Sequence, residues 1–578
     1  MLHNLTAKNR KRFLAEDGPG VKAWGQDLSV ALIYPNSYGV AMSNLGFQLV
    51  YRLINEEEGV LCDRAFLPDR DEMSGFEMSG HLITTLERDR PLIDYDVIAF
   101  SVPFEHDYTN ILKILADSEF PFYSSERDDS HPIIISGGVT SHLNPEPIAD
   151  FMDLFAVGEG EVLIPSLIKS LKGFSGLDRK EVLLKLSALE GIYVPSLYEI
   201  RYKEDGAISS SSGCKGAPEK IRRQWIDQSG FEKSSGGSTV LGEDIFFKEM
   251  YLLEVGRGCG RGCRFCAAGF INLPPRERKS DDLKADIEKG IKKDKRIGLI
   301  SPSLADHSEI GAICEYIDAT GGTSSLSSVR ADALREDYMG HVKKGGLKTV
   351  TIAPEAGTER LRDVINKGLS DEDIEESVVL LAKLGVPNLR FYFMIGLPTE
   401  EESDIEGIIE ITKKCRNIFI DGSRVHGRVG NITLSINCYV PKPFTPFQWH
   451  PMEDEKSLKT KLRRIKKGLA PEANIEVTTD APRLAYIQGM LSRGDRRLSG
   501  LLVKVHENGG DWRKAIKGSD IDPAFYTTRA RKKEELFPWD LIDIGVKKDY
   551  LWSEYERGLA GKFTPPCNLG PCTRCGIC

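Results

Sequence analysis

A chain of 578 residues exceeds what one hydrophobic core serves and divides, at roughly 150 residues per domain, into three or four. Its 40% hydrophobic and 28% charged residues are those of a soluble globular protein, and every long apolar run breaks off short of spanning length, which excludes a transmembrane helix and a membrane partner. A net charge of −9 disfavours a whole-molecule grip on nucleic acid, and the start MLHNLTAKNRKRFLAED lacks the apolar stretch of a secretory signal, so the expected location is cytoplasmic.

From Ser29 onward, short apolar runs alternate with amphipathic helical stretches: SVALIYP, SNLGFQLVYRLINEEEG, DYDVIAFSVPF, DYTNILKILADSEF, HPIIISGG and DLFAVGEG. This alternation predicts a parallel, doubly wound, Rossmann-like domain over residues 1–195. Ligands of such sheets sit at carboxyl strand ends, where Gly137, Gly138, Gly158 and Gly160 allow close backbone approach. Without a GxGxxG fingerprint, plain turns account for these glycines at least as well.

Residues 196–246 turn to serine, glycine and lysine, as in SSSSGCKGAPEK, and predict a linker with one hairpin. Over residues 247–455 a second run of strands follows: YLLEVGRG, RIGLISPS, SLSSVRAD, LKTVTIAPE, LRFYFMIG and NITLSINCYV, most of them separated by helices such as DDLKADIEKGIKK. Six βα units predict a partial (βα)6 TIM-like barrel, within an overall α/β fold class. Residues 456–578 form a C-terminal module, helical and then irregular, that ends in cysteines. Its basic run from Lys456 to Lys467 reads as a solvated helix face.

Seven of the 12 cysteines fall in two tight clusters, which points to metal and away from a disulfide framework. Cys259, Cys263 and Cys266 have the spacing CxxxCxxC in a glycine-rich loop directly after a strand. Three thiolates bind three irons of a 4Fe-4S cluster and leave the fourth open, whereas a closed zinc site wants a fourth ligand that the neighbouring sequence lacks.

The CxxxCxxC run with Phe265 before its last cysteine, at the end of the first strand of a partial βα barrel, resembles the radical S-adenosylmethionine (SAM) superfamily. The phrases GVAMSNLGFQLVYRLIN, SGGVTSHLNPEPIADFMDLFAVGEGE, APEAGTERLRDVINKG, YVPKPFTPFQW and LSRGDRRL resemble its cobalamin-binding-domain branch along nearly the whole chain. The resemblance implies that SAM binds the open iron, with Arg330 toward its carboxylate, Glu355 toward its ribose or amino group, and the turn at Ile395 and Gly396 toward its adenine. It also implies a cobalamin-binding-type N-terminal domain, the cofactor's tail lying against Gly137, Gly138, Gly158 and Gly160. The chain departs from the family in two ways: the Gly-Gly-Glu motif after the second barrel strand is replaced by SPSLADHSE, and the DxHxxG cobalt-ligand motif is absent.

Cys567, Cys572, Cys575 and Cys578 form CxxxxCxxCxxC at the end of the chain and can close one site. A second 4Fe-4S cluster and a structural zinc stand nearly even, the compact CxxCxxC run tilting toward iron. By resemblance, an electron donor such as flavodoxin or ferredoxin reduces the first cluster, SAM is cleaved, and the leading reaction is cobalamin-dependent methyl transfer to an unactivated carbon. The alternatives are rearrangement, cyclisation or methylthiolation, RNA modification included, and a non-catalytic iron-sulfur electron carrier. The substrate, small molecule or macromolecule, is not encoded in these motifs.

Overall fold

Strand β1 (Leu28–Ser37) is apolar at nearly every position and buried along its first eight residues, as a strand covered on both faces requires. The structure is a computed structural model that describes residues 2–577 apart from 175, 215, 295, 327, 428, 568–571 and 573. β1 pairs in parallel with β2 (Val60–Leu67) on one side and β3 (Val97–Ser101) on the other. β4 (Ile133–Gly137) and β5 (Leu154–Ala156) extend the sheet in parallel, and the short β6 (Ile192–Tyr193) adds an antiparallel edge. The order 2-1-3-4-5-6 is flavodoxin-like, with the reversal that defines a ligand crevice between β1 and β3.

Helices α1 (Leu45–Glu56) and α3 (Gly160–Lys172) cover one face of this sheet, setting Phe47, Tyr51, Leu163 and Leu167 against Val30 and Leu32. α2 (Tyr108–Ala116) covers the other face.

The segment expected as a linker is structured. β7 (Tyr198–Tyr202) and β8 (Ile208–Gly213) form the anticipated hairpin. Ile221–Arg222 then pairs with Ile542–Asp543, Gln224 bridges to Gly158, and Gly237 bridges to Leu253. Its sparse apolar residues suggested a free linker, but its backbone groups are hydrogen-bonded to both neighbouring domains and to the C-terminal region.

Among the described residues seven parallel strands follow: β9 (Tyr251–Glu254), β10 (Arg296–Ile300), β11 (Thr323–Leu326), β12 (Thr349–Glu355), β13 (Asn388–Ile395), β14 (Asn431–Cys438) and β15 (Ile475–Thr479). They pair as a set of three and a set of four, joined by a parallel bridge between Val329 and Ile352. β15 lies past the expected barrel boundary at 455, and its sequence IEVTT is too short and polar to announce a strand. Helix α4 (Glu455–Leu469) precedes it, burying Leu458, Leu462, Ile465 and Leu469 and turning Lys456, Lys459, Lys466 and Lys467 outward, while Lys461 pairs with Glu400 and Glu453.

The C-terminal helices are not a separate module. α5 (Leu498–Glu507) shares one core with α2 beneath the N-terminal sheet, through Leu501, Leu502 and Val505. Asn144 donates to the carbonyls of Ser492 (3.1 Å) and Gly494 (2.7 Å), and Arg496 pairs with Glu146. α6 (Lys548–Leu559) packs instead against the barrel. Among the described residues no helix is long and apolar enough to cross a membrane.

Candidate active site

The loop of Cys259, Cys263 and Cys266 leaves the carboxyl end of β9, and its neck is closed where Gly256–Arg257 pairs antiparallel with Arg276–Glu277. Gly258, at φ 82°, lies so close to the Asn272 carbonyl that a side chain is excluded. The three thiols are partly buried, and the Gly269 N–H donates to the Cys266 carbonyl at 3.2 Å. Burial, with the charge of Cys263 and Cys259 beside it, pushes the Cys266 thiol up to about 12. A metal centre removes that penalty by binding the thiolate. Among the described residues only Asp69, Asp71 and Glu72 bring three ligand atoms within 4.8 Å of one another, so at least one pair of the three cysteine sulfurs stands wider apart. Zinc at about 2.3 Å from each sulfur would draw them to about 3.8 Å.

Arg264, within the motif, is fully buried and turned away from the thiols. It donates to the carbonyls of Asp363 (2.9 Å), Val364 (3.0 Å) and Lys562 (2.6 Å) and to Glu554 Oε2 (3.1 Å). Its neighbour Phe265 packs against a small core that includes Ala356, Leu361 and Phe447. Asn366 braces the loop from the other side, its amide donating to the carbonyls of Arg261 and Gly262, both at 3.2 Å.

Arg330, four residues past the end of β11, and Glu355, the last residue of β12, are close enough for the Arg330 charge to act on the Glu355 carboxyl. Glu355 ends β12 at φ 72°, a left-handed conformation that turns the chain sharply there. Burial raises its carboxyl, and the Lys367 ammonium, 3.4 Å away, and the Arg330 guanidinium oppose that. Arg330 is held by Asp332 (2.9 and 3.0 Å) and donates to the Lys367 carbonyl (2.8 Å). The same two cations act on Cys263, so Cys263, Arg330, Glu355 and Lys367 form one electrostatic group. Lys367 escaped sequence reasoning, although DVINKG follows the Glu355 strand directly.

Ile395 and Gly396 stand differently. The Ile395 side chain is buried in the barrel core and its carbonyl accepts from Tyr439 N–H at 2.9 Å. Gly396 N–H donates to Glu400 (3.0 Å), which Lys461 holds at 2.6 Å. The fold itself uses these two polar groups.

A cavity of ≈ 430 Å³ opens between the N-terminal sheet and the barrel, lined by Ser101, Gly138, Gly158 and Gly160 on one side and by Glu254, Arg257 and Ile300 on the other. A second, apolar cavity of ≈ 90 Å³ shares Val50, Gly138, Gly158 and Gly160 with it and runs between the sheet and helices α1 and α3, past Leu32, Ala99, Gly137 and Ala156. The glycines have internal reasons as well. A Cβ on Gly138 would lie 2.8 Å from the Val102 carbonyl, and one on Gly158 would strike Gln224, whereas at Gly137 it would meet nothing within 4 Å.

His142 lines the larger cavity and was not singled out by sequence reasoning. Its Nε2 lies 2.9 Å from Gly158 N–H, and its buried Nδ1 has no hydrogen-bond partner among the described residues. Burial and the Arg223 charge lower its pKa to about 4, keeping the ring neutral.

Glu159 and Glu161, interleaved with the glycines, bind the barrel. Arg257 donates to both at 2.8 Å, and Arg276 donates to Glu159 at 2.7 Å. Burial opposes the Glu159 charge, but the Arg276 hydrogen bonds and the Arg257 and Arg276 charges bring its carboxyl down to about 2. The Gly-Glu-Gly-Glu phrase is thus also a brace between the sheet and the neck of the cysteine loop.

Of the tail, Cys567, Cys572 and Cys575 are described and partly buried, and Cys578 lies outside the described residues. Cys62, Cys314, Cys415 and Cys438 are buried single thiols, and Cys214 is exposed.

Two families match: "Radical SAM proteins, N-terminal" over residues 46–195 and "Radical SAM superfamily" over residues 253–411. The chain is 32% identical over 477 residues to the uncharacterized protein MJ0966 of Methanocaldococcus jannaschii, covering 82% of this chain and 90% of that one. It is 22% identical over 176 residues to the ribosomal protein uS12 methylthiotransferase RimO of Thermoanaerobacter sp. (strain X514), covering 28% of this chain and 40% of RimO. Among solved structures it is similar to the cobalamin-dependent SAM radical enzyme OxsB with aqua-cobalamin bound, at 17% identity and a TM-score of 0.42, over 66% of this chain and about half (52%) of OxsB. The chain belongs to the radical SAM proteins, in one family with the archaeal protein MJ0966.

Proposed function

We propose that Cys259, Cys263 and Cys266 hold a 4Fe-4S cluster whose open iron binds SAM, and that the chain is a cobalamin-dependent radical SAM methyltransferase acting on an unactivated carbon. When bound, these groups supply reductive cleavage of SAM, a hydrogen-abstracting radical and a methyl donor. The observation that carries the reading is the three-thiol loop at the end of β9, grouped with Glu355 at the end of β12, Arg330 just past β11, and Lys367 after the helix that follows Glu355, on the side where barrel sites lie.

In this reading Arg330 pairs with the SAM carboxylate, Glu355 accepts from its ribose or amino group, and Lys367 opposes the upward push of burial on the Glu355 carboxyl. Arg264 and Asn366 hold the loop rigid. The paired cavities favour cobalamin: the larger faces the barrel mouth, and the apolar one, walled by Leu32, Ala99 and Ala156, suits a flat aromatic tail. His142 supplies an unpartnered buried nitrogen there, suited to a polar group of the cofactor.

The partial likeness to RimO favours a second reading, methylthiolation of a macromolecule. The reconstituted enzyme with SAM, cobalamin and a candidate acceptor separates the two: a product heavier by one methyl group supports the first, and one heavier by a methylthio group supports the second. Absence of cobalamin binding in a spectrophotometric titration would contradict both cobalamin and the methyl transfer that needs it.

A further inference from the structure

We infer that the C-terminal cysteines hold a second iron-sulfur cluster that passes electrons directly to the Cys259–Cys263–Cys266 cluster, an inference that rests on the reading of that loop given above. The tail is docked on the cysteine loop. Thr564 N–H donates to Asn366 Oδ1 at 2.7 Å, and the Asn366 amide donates to the Thr564 carbonyl and to the Arg261 and Gly262 carbonyls of the loop. Three residues on, Cys567 N–H donates to the Gly260 carbonyl at 2.8 Å. Gly260 adjoins Cys259 in sequence, so one peptide and one hydrogen bond separate a loop ligand from a tail ligand. A side chain at Gly260 would press on Cys567, with the two Cβ atoms at 3.3 Å.

The tail is fixed at its far side as well, where Lys547 N–H donates to the Cys575 carbonyl at 2.8 Å. Cys567, Cys572 and Cys575 line one cavity, and Cys259 of the loop lines the same cavity. Iron-sulfur is favoured over zinc because Arg574 donates to the Cys572 sulfur at 3.4 Å, the kind of hydrogen bond that tunes the potential of a cluster thiolate.

Arg574 and Gly576 at the outer edge are exposed and offer a redox partner a surface beside Cys575. An external one-electron donor of the flavodoxin or ferredoxin class reduces the tail cluster by one electron. That electron passes to the loop cluster, the tail cluster returns to its oxidised state, and no bond or proton moves in the relay.

The test uses the full chain reconstituted anaerobically with iron and sulfide, in three forms: wild type, Cys263→Ala/Cys266→Ala, and Cys567→Ser/Cys572→Ser/Cys575→Ser. Iron, sulfide and zinc are counted, and the reduced proteins are examined by paramagnetic resonance. The expected result is two clusters in the wild type, half the iron in each variant, and a spin-spin interaction in the wild type that both variants lose. Reduction of the loop cluster by flavodoxin should also slow severalfold in the tail variant, while dithionite still reduces it.

Zinc in the tail, or a single cluster lost in either variant because Cys567 closes the loop cluster, overturns the relay. Two clusters without magnetic interaction overturn it too. Iron that depends on the tail alone, unaffected by Cys263→Ala/Cys266→Ala, contradicts the loop reading instead. Arg574→Ala leaves every cysteine in place and guards against misfolding: it should lower the tail cluster's midpoint potential only, and an unchanged potential counts against a cluster on Cys572.

Discussion

The Arg264 guanidinium, set between Cys263 and Cys266, donates to Glu554 Oε2 at 3.1 Å, tying the cysteine loop to a helix 290 residues downstream. Five further hydrogen bonds to Glu554, Asp363, Val364, Lys562 and Thr564 complete its coordination, so the loop's shape is set from behind. Arg264→Ala leaves the buried Glu554 carboxylate without this cation and should cost about 3–5 kcal/mol of stability. Denaturant unfolding measures the loss, and iron retention after gel filtration should fall with it.

Substitutions of Arg330 and Glu355 should separate cofactor binding from cluster assembly. Arg330→Ala and Glu355→Gln leave all three thiols in place, so the iron content should match the wild type. SAM affinity should weaken by about 10–100-fold, the range seen when supporting groups of a metal site are removed. Equilibrium dialysis with SAM on the reconstituted protein reads this directly, and unchanged affinity would remove both residues from the cofactor site.

Glu159 gives the interdomain brace a pH signature. Its carboxyl titrates near 2 in the folded chain, below the ordinary value of 4.5, so its stabilisation is fully present above pH 4.5 and is lost as pH falls toward 2. That is about 3 kcal/mol. Glu159→Gln should therefore be less stable than the wild type at pH 7, with the gap narrowing in unfolding curves taken between pH 4.5 and 3. A gap independent of pH would assign the loss to packing.

Filling the apolar slot tests the cobalamin reading without touching a polar group. Ala99→Phe projects a ring into the cavity walled by Leu32 and Ala156, at an overpacking cost of about 1–3 kcal/mol. Cobalamin binding should be lost while iron content and SAM cleavage persist. Retention of cobalamin would place the cofactor elsewhere.

What the sequence disclosed and what it hid follow from range. The CxxxCxxC loop, the alternating runs of the N-terminal sheet and the acid that ends TVTIAPE are local patterns: the runs form the strands, and the loop and the acid lie at strand ends. Arg264 hid because nothing within the motif foretells a partner at Glu554. Gly158 and Gly160 drew attention as ligand-approach glycines, while the intervening Glu159 and Glu161, which bind Arg257 and Arg276, did not, because their partners lie about a hundred residues away. The cysteine tail was visible as a cluster, but its seat against Gly260 depends on Asn366 and on the helix from Lys548 to Leu559. β15 was missed because five residues, Ile475 and Val477 alternating with exposed Glu476 and Thr478, carry little strand signal away from their partner β14.

The central claim, that the three-cysteine loop cleaves SAM reductively, is tested most directly by assaying 5'-deoxyadenosine after dithionite reduction of the anaerobically reconstituted wild type and of Cys263→Ala. The account predicts 5'-deoxyadenosine and a reduced 4Fe-4S resonance altered by SAM in the wild type, with SAM cleavage lost in Cys263→Ala. A wild type that assembles its clusters and makes no 5'-deoxyadenosine, or a Cys263→Ala variant that makes as much, would contradict it.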